Sequence, residues 1–283
     1  MNFSKYNACG NDFVVVEFSQ SAERGSLARV LCNRAEGIGA NGFISLSNQK
    51  TPGSNDNNII VEFYNPDGTR SPISANAAMV VCMYAYERFL SGKNVKFKND
   101  ANVINGEIRG FDTGRSVSFG TKKRDSNFGQ IYGMGSNRAI TANVEVEFDN
   151  VNRLGEGFMS NGHMWYLYEV GMPNVVTFVK DLSAYNHTLA TELSEKFNAN
   201  VSYAEMSSTG VRVRTYAHGA KKEVLSCGTG IASAYIAGRA HYNLSENANM
   251  ACVSGEKIGV KMRGETACIS GDVRHLFDGD FIA

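Results

Sequence analysis

The sequence carries no net charge, 28 basic side chains standing against 28 acidic ones in 283 residues. No general electrostatic pull toward nucleic acid or an anionic membrane can be argued from that balance, and neither partner is expected. Long apolar runs are also missing: the longest, around Ala77 to Ala85, is far too short to span a bilayer. The opening residues, "MNFSKYNACGNDF", show no basic region followed by an apolar stretch, so no secretory signal is read there and a cytoplasmic location is expected. The six cysteines (Cys9, Cys32, Cys82, Cys227, Cys252, Cys268) include no C-x-x-C pair and no Cys/His cluster. That pattern fits reduced thiols rather than a disulfide framework or a zinc site. The run "GIGANG" at 37–42 lacks the Lys-Ser/Thr sequel of a phosphate loop. No metal, nucleotide or pyridoxal cofactor is implied.

What is present is a hydrophobic fraction of 43%, enough to bury a full core, in a chain of a length that suits two domains. Alternating runs at 13–18, 59–64, 117–119, 144–148 and 211–216 read as strands. Helical patterns start near Ala22, Asn76, Asn186 and Gly230. Many strands and few helices in this order point to an α+β fold rather than a regularly alternating sheet. The polar, aperiodic stretch 122–138 reads as a long loop, and a seam is expected just before it, near residue 115. The expected halves are thus 1–114, joined by a returning segment 271–283, and 115–270.

A weak internal repeat is the most informative feature of the organisation. "VEFYNPDGTRSPISANAAM" and "VRTYAHGAKKEVLSCGTGIAS" each run from a strand ending in tyrosine (Tyr64, Tyr216) through a glycine turn to a small residue that opens an Ala-rich helix. That small residue is Ser74 in one copy and Cys227 in the other. Such helix starts present unpaired N–H groups and the positive end of the dipole, which favour an anion and lower the pKa of a thiol placed there. Two of them facing each other would hold a carboxylate and set one side chain on each side of its α-carbon. That geometry suits racemisation, one group removing the α-proton while the other donates to the opposite face.

Seven islands in order make the chain resemble the diaminopimelate epimerases, cofactor-independent enzymes of lysine biosynthesis: "CGNDFVVVE", "LCNRAEGIGANG", "FYNPDGT", "VGMPNVVTFV", "NANVSY", "VRTY" with "CGTG", and "ISGDVRHLFDGDF". The resemblance runs almost end to end. It implies two pseudo-symmetric halves, each a barrel-like, mainly antiparallel sheet around a central helix. It also implies bases at the two helix starts, which here are Ser74 and Cys227. Substrate contacts carried over are Asn11, Asn65, Ala75, Asn76, Asn200, His218, Gly228 and Thr229.

Departures from the family pattern are concentrated at the site. Cys-Gly-Asn-Gly is here Ser74-Ala75-Asn76-Ala77, Gly-Asn-Pro-His is Gly171-Met172-Pro173-Asn174, and Tyr-Glu-Arg-Gly is Tyr216-Ala217-His218-Gly219. The last change removes the arginine that grips the distal carboxylate of diaminopimelate, a bidentate contact whose loss makes that compound a poor substrate. Three readings follow. The first is an amino-acid racemase or epimerase using Cys227 with Ser74, aided by His218; the second, a homologue that binds an amino acid or a protein partner without turnover; the third, weak diaminopimelate epimerase activity. Ser74 is also the residue a helix N-cap prefers, Cys82 falls inside the helix that Ser74 opens, as packing, and Met172 packs at the site. A small amino acid is the expected ligand, and a homodimer is left open.

Overall fold

The computed structural model describes residues 1–18, 23–50, 57–100, 102–112, 141–149, 151–208 and 210–282. The expected strand at 117–119, the loop at 122–138 and the seam near residue 115 lie outside the described residues. The first series of elements is β1 (Asn2–Ala8), β2 (Asn11–Glu17), α1 (Arg24–Cys32), β3 (Gly42–Lys50), β4 (Asn57–Tyr64), β5 (Arg70–Ser71), α2 (Ala75–Glu87), β6 (Asn94–Asn99), β7 (Asn102–Asp112) and β8 (Thr141–Phe148). Two short strands, β9 (Asn152–Arg153) and β10 (Phe158–Ser160), then precede a second series. It comprises β11 (His163–Val170), β12 (Met172–Val179), α3 (His187–Phe197), β13 (Asn200–Ser207), β14 (Gly210–Ala217), β15 (Lys222–Val224), α4 (Gly228–His241), β16 (Met250–Cys252), β17 (Lys257–Arg263) and β18 (Thr266–Asp280).

The repeat legible around the two helix starts proves to extend over each whole series. β1 pairs with β2 antiparallel as β11 does with β12, and β2 with β3 is parallel as is β12 with β13. The pairs β3/β4 and β13/β14 are antiparallel, while β4/β6 and β14/β16 are parallel. Both series finish with two antiparallel steps, β6/β7/β8 and β16/β17/β18. The first sheet closes, because β8 pairs with β18 and β18 with β1, completing a ring of eight strands β1, β2, β3, β4, β6, β7, β8 and β18. The second curls around α4, which packs against β11, β12 and β13. This is the α+β arrangement of two like halves that the resemblance implied.

Burial explains the residue choices. Every residue of α2 except Tyr86 is buried, as expected of a helix that is apolar all round. Its alanines keep it slim enough for strands to wrap. On β7, a Cβ added to Gly106 would lie 2.4 Å from Cys82 Sγ, so this thiol fills the space between helix and barrel wall. The run "FVVV" of β2 is buried on both faces: Phe13 and Val15 join the core around α2, whereas Val14 and Val16 join the cluster under α1 with Leu31 and Phe43. Burying each such side chain is worth about 1.5–3 kcal/mol. The equivalent outer cluster of the second half sets Trp165, Val175, Val201 and Tyr203 against Ala190 and Leu193 of α3. Among the described residues, no helix is long and apolar enough to cross a membrane.

Candidate active site

Two helix N-termini converge on one cleft between the halves. Ser74 caps α2 from an extended backbone (φ −75°, ψ 157°), its hydroxyl accepting from the Ala77 N–H at 3.3 Å. Cys227 caps α4 in the same way (φ −144°, ψ 104°), its Sγ accepting from the Gly230 N–H at 3.4 Å. Both side chains line the cleft, together with Asn76, Gly228 and Thr229. The starts are in close contact: a Cβ on Gly228 would lie 2.7 Å from the Ala75 methyl and 3.1 Å from Asn76 Oδ1. The third capping position is equally tight, since a Cβ on Gly230 would lie 2.6 Å from Ser202 Oγ.

Amides tie the halves together there. Asn76 Nδ2 of α2 donates to Ser226 Oγ at 3.1 Å and to the Ala8 carbonyl at 3.3 Å. Asn11 Nδ2, at the start of β2, donates to the Ser226 carbonyl at 2.7 Å. The side-chain oxygens of both amides are buried without a partner among the described residues, an arrangement that costs on the order of 1–3 kcal/mol per group unless a ligand supplies donors. Asn65 lines the cleft from the β4–β5 turn, where its Nδ2 donates to Thr69 Oγ1 at 3.0 Å. It also approaches the other half, since a Cβ on Gly219 would lie 2.8 Å from Asn65 Oδ1.

Asn200, the first residue of β13, is the hub on the cysteine side. Its Nδ2 lies 3.6 Å from Cys227 Sγ, 3.5 Å from Thr229 Oγ1, 3.3 Å from Asn174 Oδ1 and 3.2 Å from Met172 Sδ, while its Oδ1 accepts from the His218 backbone N–H at 3.0 Å. Thr229 Oγ1 is itself 3.5 Å from Cys227 Sγ. The helix start was expected to lower the thiol pKa, and the net direction is upward. Burial disfavours the thiolate more than the hydrogen bonds from Thr229 and Gly230 favour it. The thiol is thus a stronger base once ionised, and less often ionised near neutral pH.

The positions expected from the sequence are therefore brought together at one place, with a distinction for His218. Its ring is held by α3, Nδ1 lying 2.9 Å from Ser194 Oγ, and its tie to the cleft is the backbone N–H on Asn200. Cys82 is enclosed in the barrel, where burial pushes its thiol pKa up. Sequence reasoning passed over Ser226, whose hydroxyl and carbonyl hold Asn76 and Asn11. No motif marks it beyond its place before Cys227. It also left unremarked the aromatic wall of Phe13 and Phe63, residues whose alternation on β2 and β4 reads simply as core.

In a comparison with protein-family models, none matches the chain. A diaminopimelate epimerase from a Nitratiruptor species is 30% identical over 279 residues, 98% of this chain and 97% of that protein. Another from Campylobacter jejuni subsp. jejuni is 28% identical over 283 residues, 99% of each. Among solved structures, a probable proline racemase from Agrobacterium radiobacter with bound carbonate superposes with a TM-score of 0.67 at 11% identity, covering 99% of this chain and 92% of that one. A phenazine biosynthesis protein of the PhzF family from Enterococcus faecalis gives 0.66 at 11% identity, covering 100% and 99%. At that identity the two structures share the fold.

Proposed function

The chain belongs to the diaminopimelate epimerase family, and on that premise we propose that it is a cofactor-independent isomerase acting at the α-carbon of an amino acid. The observation that carries the reading is the pair of helix N-caps, Ser74 and Cys227, lining one cleft. The first-turn N–H groups of an α-helix have no partner within the helix. Those following Ser74 and Cys227 are suited to receive the α-carboxylate and to stabilise the charge that builds on it as the α-proton leaves.

Cys227 is the base in this reading. Its thiolate takes the α-proton, the substrate passes through a carbanion held between the helix starts, and Ser74 O–H donates from the other face. An alcohol is a much weaker acid than a thiol, so the Ser74 side limits the rate and the Cys227 side exchanges its proton more readily. Asn200 and Thr229, both near Cys227 Sγ, hold the sulfur in place and favour its ionised form against burial. The reading in which the protein binds an amino acid without turnover draws on one observation, that the Ser74 position carries an alcohol where the opposite helix start carries a thiol.

The test is proton NMR in D₂O under reducing conditions with a panel of amino acids, following loss of the α-proton signal. Exchange with wild-type protein that disappears in Cys227→Ala supports the isomerase reading. Ligand binding with no exchange above the Cys227→Ala background for any compound refutes it and leaves the binding reading.

A further inference from the structure

We infer that this site takes an α-amino acid whose side chain is uncharged and largely apolar. The inference rests on the isomerase reading and names its substrate class. Among the described residues, none that lines the cleft has a charged side chain. Beyond the helix starts its walls include Phe13, Phe63, Pro72, Met172, Ala217 and Val224. A second carboxylate or ammonium placed against that surface would leave water without a counter-ion, and burial of an unpaired charge is strongly unfavourable. His218 does not supply one, because its ring is on Ser194 and it is not among the lining residues.

Asn41, Asn65, Ser71 and Asn200 also line the cleft, Asn65 donating to Thr69 and Asn200 placed against Cys227 and Thr229; the polar groups nearest the helix starts match a single zwitterion. Helix starts at Ser74 and Cys227 provide N–H donors for one carboxylate. The amide oxygens of Asn11 and Asn76 provide acceptors for one ammonium: the residues are 8% and 1% exposed, both line the cleft, and among the described residues neither oxygen has a partner. Asn76 Nδ2 donates to Ser226 Oγ and the Ala8 carbonyl and Asn11 Nδ2 to the Ser226 carbonyl, which orients each amide with its oxygen as the acceptor left for the ligand. A substrate's remaining atoms then face the aromatic and aliphatic wall, where an apolar side chain gains from burial and a charged one does not.

The experiment is isothermal titration calorimetry of the wild-type protein with L-leucine, L-methionine and L-phenylalanine against meso-diaminopimelate, L-glutamate and L-lysine, run beside the NMR exchange panel. At least one neutral compound is expected to bind no less than tenfold more tightly than any charged one. Val224→Arg is expected to move that preference at least tenfold toward glutamate or diaminopimelate. Diaminopimelate or glutamate binding as well as the neutral compounds would overturn the inference, as would binding of none of the six. An unmoved preference in Val224→Arg would overturn the placement of the side chain. Neutral compounds that bind but do not exchange support the inference while removing the isomerase reading on which it was built, so the two fail separately.

Discussion

The Ser74 and Cys227 helix starts are built alike and equipped differently. Each cap side chain accepts from the N–H three residues on, at 3.3 Å and 3.4 Å, so the backbone treats oxygen and sulfur alike. Around the cap the halves diverge. Cys227 has Thr229 and Asn200 beside its sulfur and glycines at 228 and 230, whereas Ser74 is followed by Ala75 and Ala77. The methyl of Ala75 occupies the place where a Cβ on Gly228 would collide. There is room for one methyl between the helix starts and not for two. A change on one side is thus conditioned by the residue on the other, which a comparison of either copy alone would not reveal.

The widest test of this asymmetry is to remove each cap. Cys227→Ala is expected to lower α-proton exchange by about 10³-fold, the scale of a lost general base, while Ser74→Ala leaves exchange from the Cys227 face measurable; equal losses in NMR exchange would make the two faces equivalent. Next, Ser74→Cys supplies a stronger acid at an unchanged cap and is expected to raise full inversion, read by chiral chromatography, by about tenfold. No gain would show that the Ser74 face does not limit turnover. The pH profile follows from the raised thiol pKa: exchange should climb with pH through and beyond the ordinary thiol range, and a plateau reached near neutrality would contradict it.

Smaller effects test the packing half of the comparison. Gly228→Ala is expected to cost about 1–3 kcal/mol by overpacking against Ala75, read as a loss of denaturant midpoint, with most of it recovered in the Ala75→Gly background. Additive losses would mean that the two positions do not compete for space. At the far end of α2 lies a contact of a different kind: His275 is 3.3 Å from Glu87 and 3.2 Å from Asp278. Burial works against the charged ring, and the hydrogen bonds and charges of Asp278 and Glu87 outweigh it, raising the pKa from 6.5 to about 9. Because the folded ring keeps its proton to a higher pH than the unfolded one, this contribution is whole below about 6.5 and lost as pH rises through about 9. The melting temperature should therefore fall across that window, and fall less in His275→Gln; identical curves would remove the ion pair from the account.

Much of this organisation was legible because it is local. Alternation announced β2, β4, β8 and β14, and small residues after Ser74 and Cys227 announced two helices that begin at Ala75 and Gly228. The second helix starts two residues before the apolar pattern suggests, since a cap at Cys227 recruits Gly228 and Thr229 into the first turn. What stayed hidden is non-local. Nothing in the composition of β18 reveals that it joins β17, β8 and β1 in turn, nor that the Ser226 hydroxyl meets an amide 150 residues away.

By itself the sequence determined the four helices, four of the strands, the repeat around the two helix starts and the residues that occupy those starts, because hydrophobic period, capping preference and turn chemistry act within a few residues. Tertiary structure alone decided three things: that the first sheet closes, that burial works against ionising Cys227, and that, among the described residues, the cleft is lined without a charge. Each depends on what chain-distant atoms exclude water from, a property of packing that no local pattern encodes.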